Sequence, residues 1–154
     1  MAFMPQGDDM MKRIFLAITM ICMLCFGSTA FAASNGQILM KEEAVASQVM
    51  TALTGIMSYD RISPSFTPEL QQTFGKEQLT AMKKEVKTRF GKLQDMKLVS
   101  LQKFDQGDRV IYLANFAKQN LVRVEFLFNV TTPEPQVMSF ALAPIEAQQK
   151  QAQQ

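Results

Sequence analysis

The chain has 154 residues, and its 16 Lys and Arg nearly balance its 14 Asp and Glu, which leaves a net charge of +2 at pH 7. No basic stripe stands out, so the charge pattern predicts neither a nucleic-acid partner nor an acidic-lipid partner. The chain has no His, no Trp and two Cys. This excludes most transition-metal sites and the commonest general base, and we expect no metal and no cofactor.

The first 32 residues have the pattern of an export signal. Lys12 and Arg13 precede an apolar run over residues 14–27, and the small residues Ala30 and Ala32 follow it. A positive segment, an apolar segment and small residues at positions −3 and −1 are typical of a signal peptide. As a helix the apolar run would span roughly 21 Å, less than the ~30 Å hydrocarbon core of a bilayer.

We therefore expect cleavage after Ala32, export to the periplasm or the extracellular space, and no stable membrane span in the processed chain. The alternative is an uncleaved leader, over residues 14–33, that anchors the protein in the membrane. Asp8 and Asp9 are acidic where a signal peptide is positive. We accordingly place the true translation start at Met10 or Met11.

Both cysteines, Cys22 and Cys25, lie inside the apolar run. A redox pair needs its first thiol at a helix N-terminus in a folded domain, and a zinc site needs further Cys or His ligands. A lipid-attachment box has Leu three residues before the modified Cys, a place taken here by Thr19 and Cys22. Lipid attachment stays an alternative, and we interpret the pair as small apolar residues of the leader.

Three helices are predicted in the first half of the processed chain, over residues 38–57, 68–74 and 76–90. In the first helix, a stripe at helical spacing is expected to face the core: Val45, Val49, Leu53, Ile56 and Met57. Polar residues are expected on its solvent side: Lys41, Glu42, Glu43 and Gln48. Thr67 and Pro68 form an N-cap and N1 pair for the second helix, and Gly91 is a C′ residue that ends the third.

After Gly91 the apolar period changes to two, which predicts four strands, over residues 96–104, 109–116, 121–130 and 137–142. Their short connections make the sheet antiparallel. In the third strand one set of alternating residues is apolar: Val122, Val124, Phe126 and Phe128. We therefore predict one α+β domain over residues 38–144, with N-terminal helices packed on a four-stranded antiparallel sheet, followed by a Gln-rich tail over residues 145–154.

This order of elements resembles the cone-shaped superfamily of nuclear transport factor two-like domains, and in particular its uncharacterised secreted bacterial members. The stretches that carry the resemblance are AVASQVMTALTGI, FTPELQQTFGKEQL, RFG and FALAP. The resemblance implies a curved sheet wrapped around the first helix, a pocket at the open end of the cone and dimerisation through the sheet. It implies no chemistry by itself.

Enzymes of this superfamily use a carboxylate with a Tyr or His, so the resemblance directs attention to acids and phenols. It places Tyr59 and Asp60 near the mouth of the pocket, with a surface turn as the alternative role. Tyr112, Phe126 and Phe128 are ligand candidates on the inner sheet face, with plain core packing as the alternative.

Two further pairs of residues have structural interpretations. Arg123 and Glu125 share a sheet face and predict a salt-bridge row. Asp105 and Asp108 flank a Gly turn and supply too few oxygens for calcium, so we interpret both as turn residues.

Ile111 and Leu113 are apolar on the opposite face from Tyr112, which predicts a covered outer surface and favours a homodimer through the sheet. We expect an exported, non-catalytic domain that binds a small apolar ligand or a protein partner in the cell envelope. The alternatives are an isomerase- or dehydratase-like enzyme using Asp60 or another acid with Tyr59 or Tyr112, and a structural accessory of an envelope or secretion complex.

Overall fold

The computed structural model describes residues 35–145. The predicted leader with its cysteines, the cleavage residues Ala30 and Ala32, and all but the first residue of the predicted tail lie outside this range. Within it, no helix combines the length and the apolar character needed to cross a membrane.

The helices come first in the chain, as predicted. They are α1 (Asn35–Thr54), α2 (Tyr59–Ile62), α3 (Pro68–Thr73) and α4 (Lys76–Arg89), with a 3-10 turn at Ser63–Ser65 after α2. The Thr67 hydroxyl accepts the Leu70 N–H at 3.3 Å, which confirms the predicted N-cap of α3. Gly91 has a left-handed φ of 80° and donates its N–H to Val86 O at 3.0 Å, which confirms it as the C′ residue of α4.

Four strands follow: β1 (Leu93–Phe104), β2 (Gly107–Phe116), β3 (Val122–Asn129) and β4 (Gln136–Pro144). They form one sheet in the order β1-β2-β3-β4, and every neighbouring pair is antiparallel. The Thr67 N–H also donates to Val137 O at 3.0 Å, which fastens the start of α3 to β4. The α+β class with helices packed against a four-stranded antiparallel sheet is therefore confirmed.

The core lies between the helices and one face of the sheet. The alternating residues predicted for β3 are all fully buried, and on β2 the buried residues include Val110, Tyr112, Ala114 and Phe116. From the helices, Ala46, Val49 and Leu53 meet this face. Because side chains alternate along a strand, the other face carries the predicted salt-bridge row, in which Arg123 lies 3.5 Å from Glu125.

Two expectations for α1 are wrong. Glu42 was assigned to the solvent side but is fully buried, because the buried face runs through Glu42, Ala46, Val49 and Leu53 at spacings of four, three and four residues. Ile56 was assigned to the core but is fully exposed, because α1 ends at Thr54 and the chain leaves the helical path at Gly55.

The interpretation of Asp108 as a turn residue is also wrong. The turn is at Asp105 and Gln106, and Asp108 lies in β2 with 2% of its surface exposed. Lys103 is its partner in the β1–β2 register, and the Lys103 ammonium donates a hydrogen bond to the Asp108 carboxylate. Asp108 is therefore buried with its charge compensated by Lys103 on the neighbouring strand.

Candidate functional site

The aromatic residues proposed as ligand contacts pack against one another. Tyr112 meets Phe126 edge-on at 6.1 Å between ring centroids, and Phe126 stacks on Phe128 at 5.9 Å. Phe126 also stacks on Phe140, which stacks on Phe66, and Tyr59 meets Phe66 edge-on at 6.2 Å. Tyr59 and Tyr112 therefore lie at opposite ends of a row of rings.

Asp60 does not join this row. It lies in the first turn of α2, its side chain is mostly exposed, and its carboxylate pairs with the Lys76 ammonium at 3.0 Å. The residues predicted for an acid and phenol site are thus divided between the surface and the core. Two neighbouring acids of α1, Glu43 and Glu42, act electrostatically on the Tyr112 hydroxyl, and Glu42 is the buried one of the two.

Glu42, Tyr112 and Asp108 form a buried polar cluster between α1 and β2. No described residue donates a hydrogen bond to either carboxyl oxygen of Glu42, which can hydrogen-bond Asp108 only when it is protonated. The Tyr112 hydroxyl has no hydrogen-bond partner among the described residues. Buried polar atoms normally have such partners, and orphaned ones often mark functional sites. Within residues 35–145, no three side chains of the metal-binding kinds are grouped to hold an ion.

Burial and the neighbouring Asp108 carboxylate raise the pKa of Glu42 to about 7, and Lys103 opposes the shift. Two ionised carboxylates have no donor between them, so a proton on Glu42 relieves both their repulsion and its desolvation. Burial, followed by the charges of Glu43 and Glu42, raises the pKa of Tyr112 well above its usual range. The cluster thus holds a neutral phenol and a carboxyl that exchanges its proton near neutral pH.

A groove of about 690 Å³ lies at the C-terminal end of α1. Its apolar lining comes from Leu53 and Ile56 at the end of α1 and from Val86 on α4. Gly91 and the turn before β1 form another part of the wall. The sequence places these residues together because α1 packs along α4 and Gly91 reverses the chain at the end of α4.

Five lysines line the same groove and come from three separate segments: Lys83, Lys84 and Lys87 from α4, Lys92 from the turn after it, and Lys118 from the β2–β3 turn. Lys83 Nζ donates to Met57 O at 2.9 Å and Lys118 Nζ to Thr88 O at 3.2 Å. None of the described residues that line the groove is acidic. The groove therefore combines an apolar lining with concentrated positive charge.

Neither the buried polar cluster nor the groove was predicted from the sequence, and the reasons differ. Glu42 carries a charge, and a charged residue in a helix is ordinarily assigned to solvent. The sequence feature that indicates its burial is its helical spacing to Ala46, Val49 and Leu53. The five lysines are spread over residues 83–118 and form no local pattern in the sequence. Only the packing of α4 and the two turns brings them together.

Comparisons with curated proteins and with solved structures found no significant match. A family described as "Protein of unknown function (DUF3887)" matches residues 46–132. The matched segment contains every residue that lines the groove, whereas Glu42 lies just before it. Because the match spans more than half of the chain, the chain belongs to the DUF3887 family.

Proposed function

We propose that this protein is an exported, non-catalytic domain that binds a small apolar ligand in the cell envelope, and that the groove at the end of α1 is its binding site. The observation that carries the proposal is the apolar lining of the groove by Leu53, Ile56 and Val86. Its volume of about 690 Å³ falls within the ~300–1,000 Å³ range of pockets that hold small molecules.

The exposure of Ile56 supports this site. Ile56 is fully exposed, so it contributes nothing to the core, and its side chain is free to cover a bound molecule. The proposal includes the likeness to nuclear transport factor two-like domains, in which a pocket opens at one end of the cone. A long helix packed on an antiparallel sheet supports that likeness.

Native mass spectrometry of the protein purified from its own envelope tests the proposal. We expect a chain that begins at Ala33 and carries a small molecule. In Ile56→Ser, the bound fraction should fall several-fold, because the substitution removes apolar contact without disturbing the core. Val99→Ser, which alters another exposed aliphatic residue, is the matched control. An intact leader would refute cleavage and favour the membrane-anchored alternative. A co-purified protein without a small molecule would favour the structural accessory.

A second candidate function is acid–base catalysis, favoured by the burial of the Glu42 carboxyl and its electrostatic effect on the buried Tyr112 hydroxyl. A carboxyl with a pKa of about 7 suits proton transfer at neutral pH. This candidate ranks second because Glu42, Tyr112 and Asp108 are all buried, so a substrate reaches them only if α1 moves. Its test is deuterium incorporation from D₂O into carbonyl compounds of an envelope extract, which should occur with the wild type and stop in Glu42→Gln.

The proposal also includes a homodimer through the outer sheet face. Ile111, Leu113 and Leu127 are only half-buried there. Around them Arg109 pairs with Glu125 at 2.6 Å, and Arg123 lies on the same face. In a two-fold contact each copy presents the same patch, so a surface with an apolar centre and both signs of charge can complement itself.

A further inference from the structure

We infer that the ligand of the groove is an amphiphile with an acidic head, of the long-chain carboxylate class, whose chain lies along the apolar lining and whose head is held by the groove lysines. This inference rests on the proposed function, because it names the ligand class of the same site. The groove lysines are Lys83, Lys84, Lys87, Lys92 and Lys118.

The protein itself neutralises little of this charge. The ends of α1 and α4 lie at the groove, and the C-terminus of a helix carries a partial charge of roughly −0.5. Two such ends offset about one of the five positive charges. The acid nearest along α4, Glu85, is already paired with Arg89 at 2.7 Å. A net positive charge therefore remains for a bound anion.

Three of the lysines are free to contact that anion. Lys83 and Lys118 donate to backbone carbonyl groups, as described above. Lys84, Lys87 and Lys92 are exposed, and their ammonium groups make no hydrogen bond or ion pair with any residue in the range 35–145. An ammonium donates up to three hydrogen bonds and accepts none, so these side chains suit a carboxylate.

The shape of the site favours a single molecule over an extended surface. A membrane offers a broad anionic plane, whereas the lysines here line a concavity together with Leu53 and Val86. An acidic peptide would satisfy the charge but would leave the apolar lining unused. An amphiphile is the occupant that uses both.

The experiment compares dodecanoate with dodecanol, which has the same chain length and no charge, by calorimetry below the micelle concentration. We expect dodecanoate to bind at least fivefold more tightly than dodecanol at low salt. Raising the ionic strength should reduce this preference, because exposed charges are screened. Methyl NMR shifts should locate the chain at Leu53, Ile56 and Val86.

Variants separate the two parts of the inference. Lys84→Gln combined with Lys87→Gln should weaken dodecanoate binding about threefold to tenfold and leave dodecanol binding unchanged. Lys97→Gln, an exposed lysine on β1 outside the groove, is the control. Circular dichroism verifies that the double variant is folded, and Lys92→Gln provides a second reading from a different segment.

Equal binding of dodecanoate and dodecanol would overturn the acidic head and leave the proposed apolar site intact. Failure of both to bind would overturn both proposals. Binding to anionic phospholipid vesicles without binding of free dodecanoate would overturn the single amphiphile in favour of a membrane surface. If the double variant bound dodecanoate as tightly as the wild type, the carboxylate of dodecanoate would lie away from Lys84 and Lys87. That result would overturn the assignment of the acidic head to the groove lysines.

Discussion

Glu42 makes the stability of the fold depend on pH. Its pKa rises from the ordinary 4.5 to about 7 in the folded protein, so the folded state holds the proton more tightly than the unfolded state. Between these two values the unfolded chain releases the proton and the folded chain keeps it. The contribution of Glu42 to stability is therefore most favourable below pH 4.5, falls as the pH rises from 4.5 to 7, and stays reduced above 7.

We predict that wild-type protein loses roughly 2 to 3 kcal/mol of unfolding free energy between pH 5 and pH 8 relative to Glu42→Gln. Gln has the same shape and no charge, so the variant should lack this loss. Urea unfolding at the two pH values measures it. Glu43→Gln, at the exposed neighbouring position, is the control and should behave like the wild type. Parallel pH profiles for wild type and Glu42→Gln would contradict the raised pKa.

At the scale of the elements, the end of α4 depends on one glycine. Gly91 has a φ of 80°, and a Cβ there would meet Lys118 Cγ at 3.1 Å. We predict that Gly91→Ala lowers the unfolding free energy by about 1–2 kcal/mol, because side chains make the left-handed conformation costly. Gly91→Asn should lose less, since Asn tolerates this conformation. Urea midpoints measure both; equal stability of wild type and Gly91→Ala would be contrary to this account.

The elements themselves were predictable because apolar periodicity reports which face is buried. β2 and β3 alternate cleanly, and the observed strands match the predicted ones to within three residues at each end. The weak point was α1, where Gly55 ends the helix and removes Ile56 from the buried stripe. Apolar residues can keep their helical spacing in the sequence beyond the residue at which the helix itself ends.

The candidate sites were less predictable because they depend on contacts between distant segments. Tyr112 was identified from the sequence, and the enzyme alternative combined Tyr59 or Tyr112 with Asp60 or another acid. Asp60 pairs with Lys76 on the surface. The acids that act electrostatically on Tyr112, Glu43 and Glu42, come from a different helix, α1. The groove likewise joins α1, α4 and the β2–β3 turn, whose proximity follows from packing alone.

At the scale of the whole molecule, the proposed homodimer predicts the effect of one substitution. Leu113→Glu should convert a dimer to a monomer in light scattering without unfolding it, because it places a charge in the apolar centre of the outer face. Ser47→Glu, at an exposed position on α1, is the control and should leave the dimer intact. A monomeric wild type would refute the proposed interface.

The order of the strands leaves β1 and β4 at the two margins of the sheet, where unpaired backbone groups invite pairing with other chains. On β4, Val137 O is already engaged by the Thr67 N–H. On β1, register shifts at Leu93/Asp95 and Leu98/Ser100 interrupt the regular edge, and Lys97 adds a charge. The hydrogen bond from Thr67 to β4, and the register shifts together with Lys97 on β1, should therefore hinder edge-to-edge association of the folded protein into fibrils at high concentration.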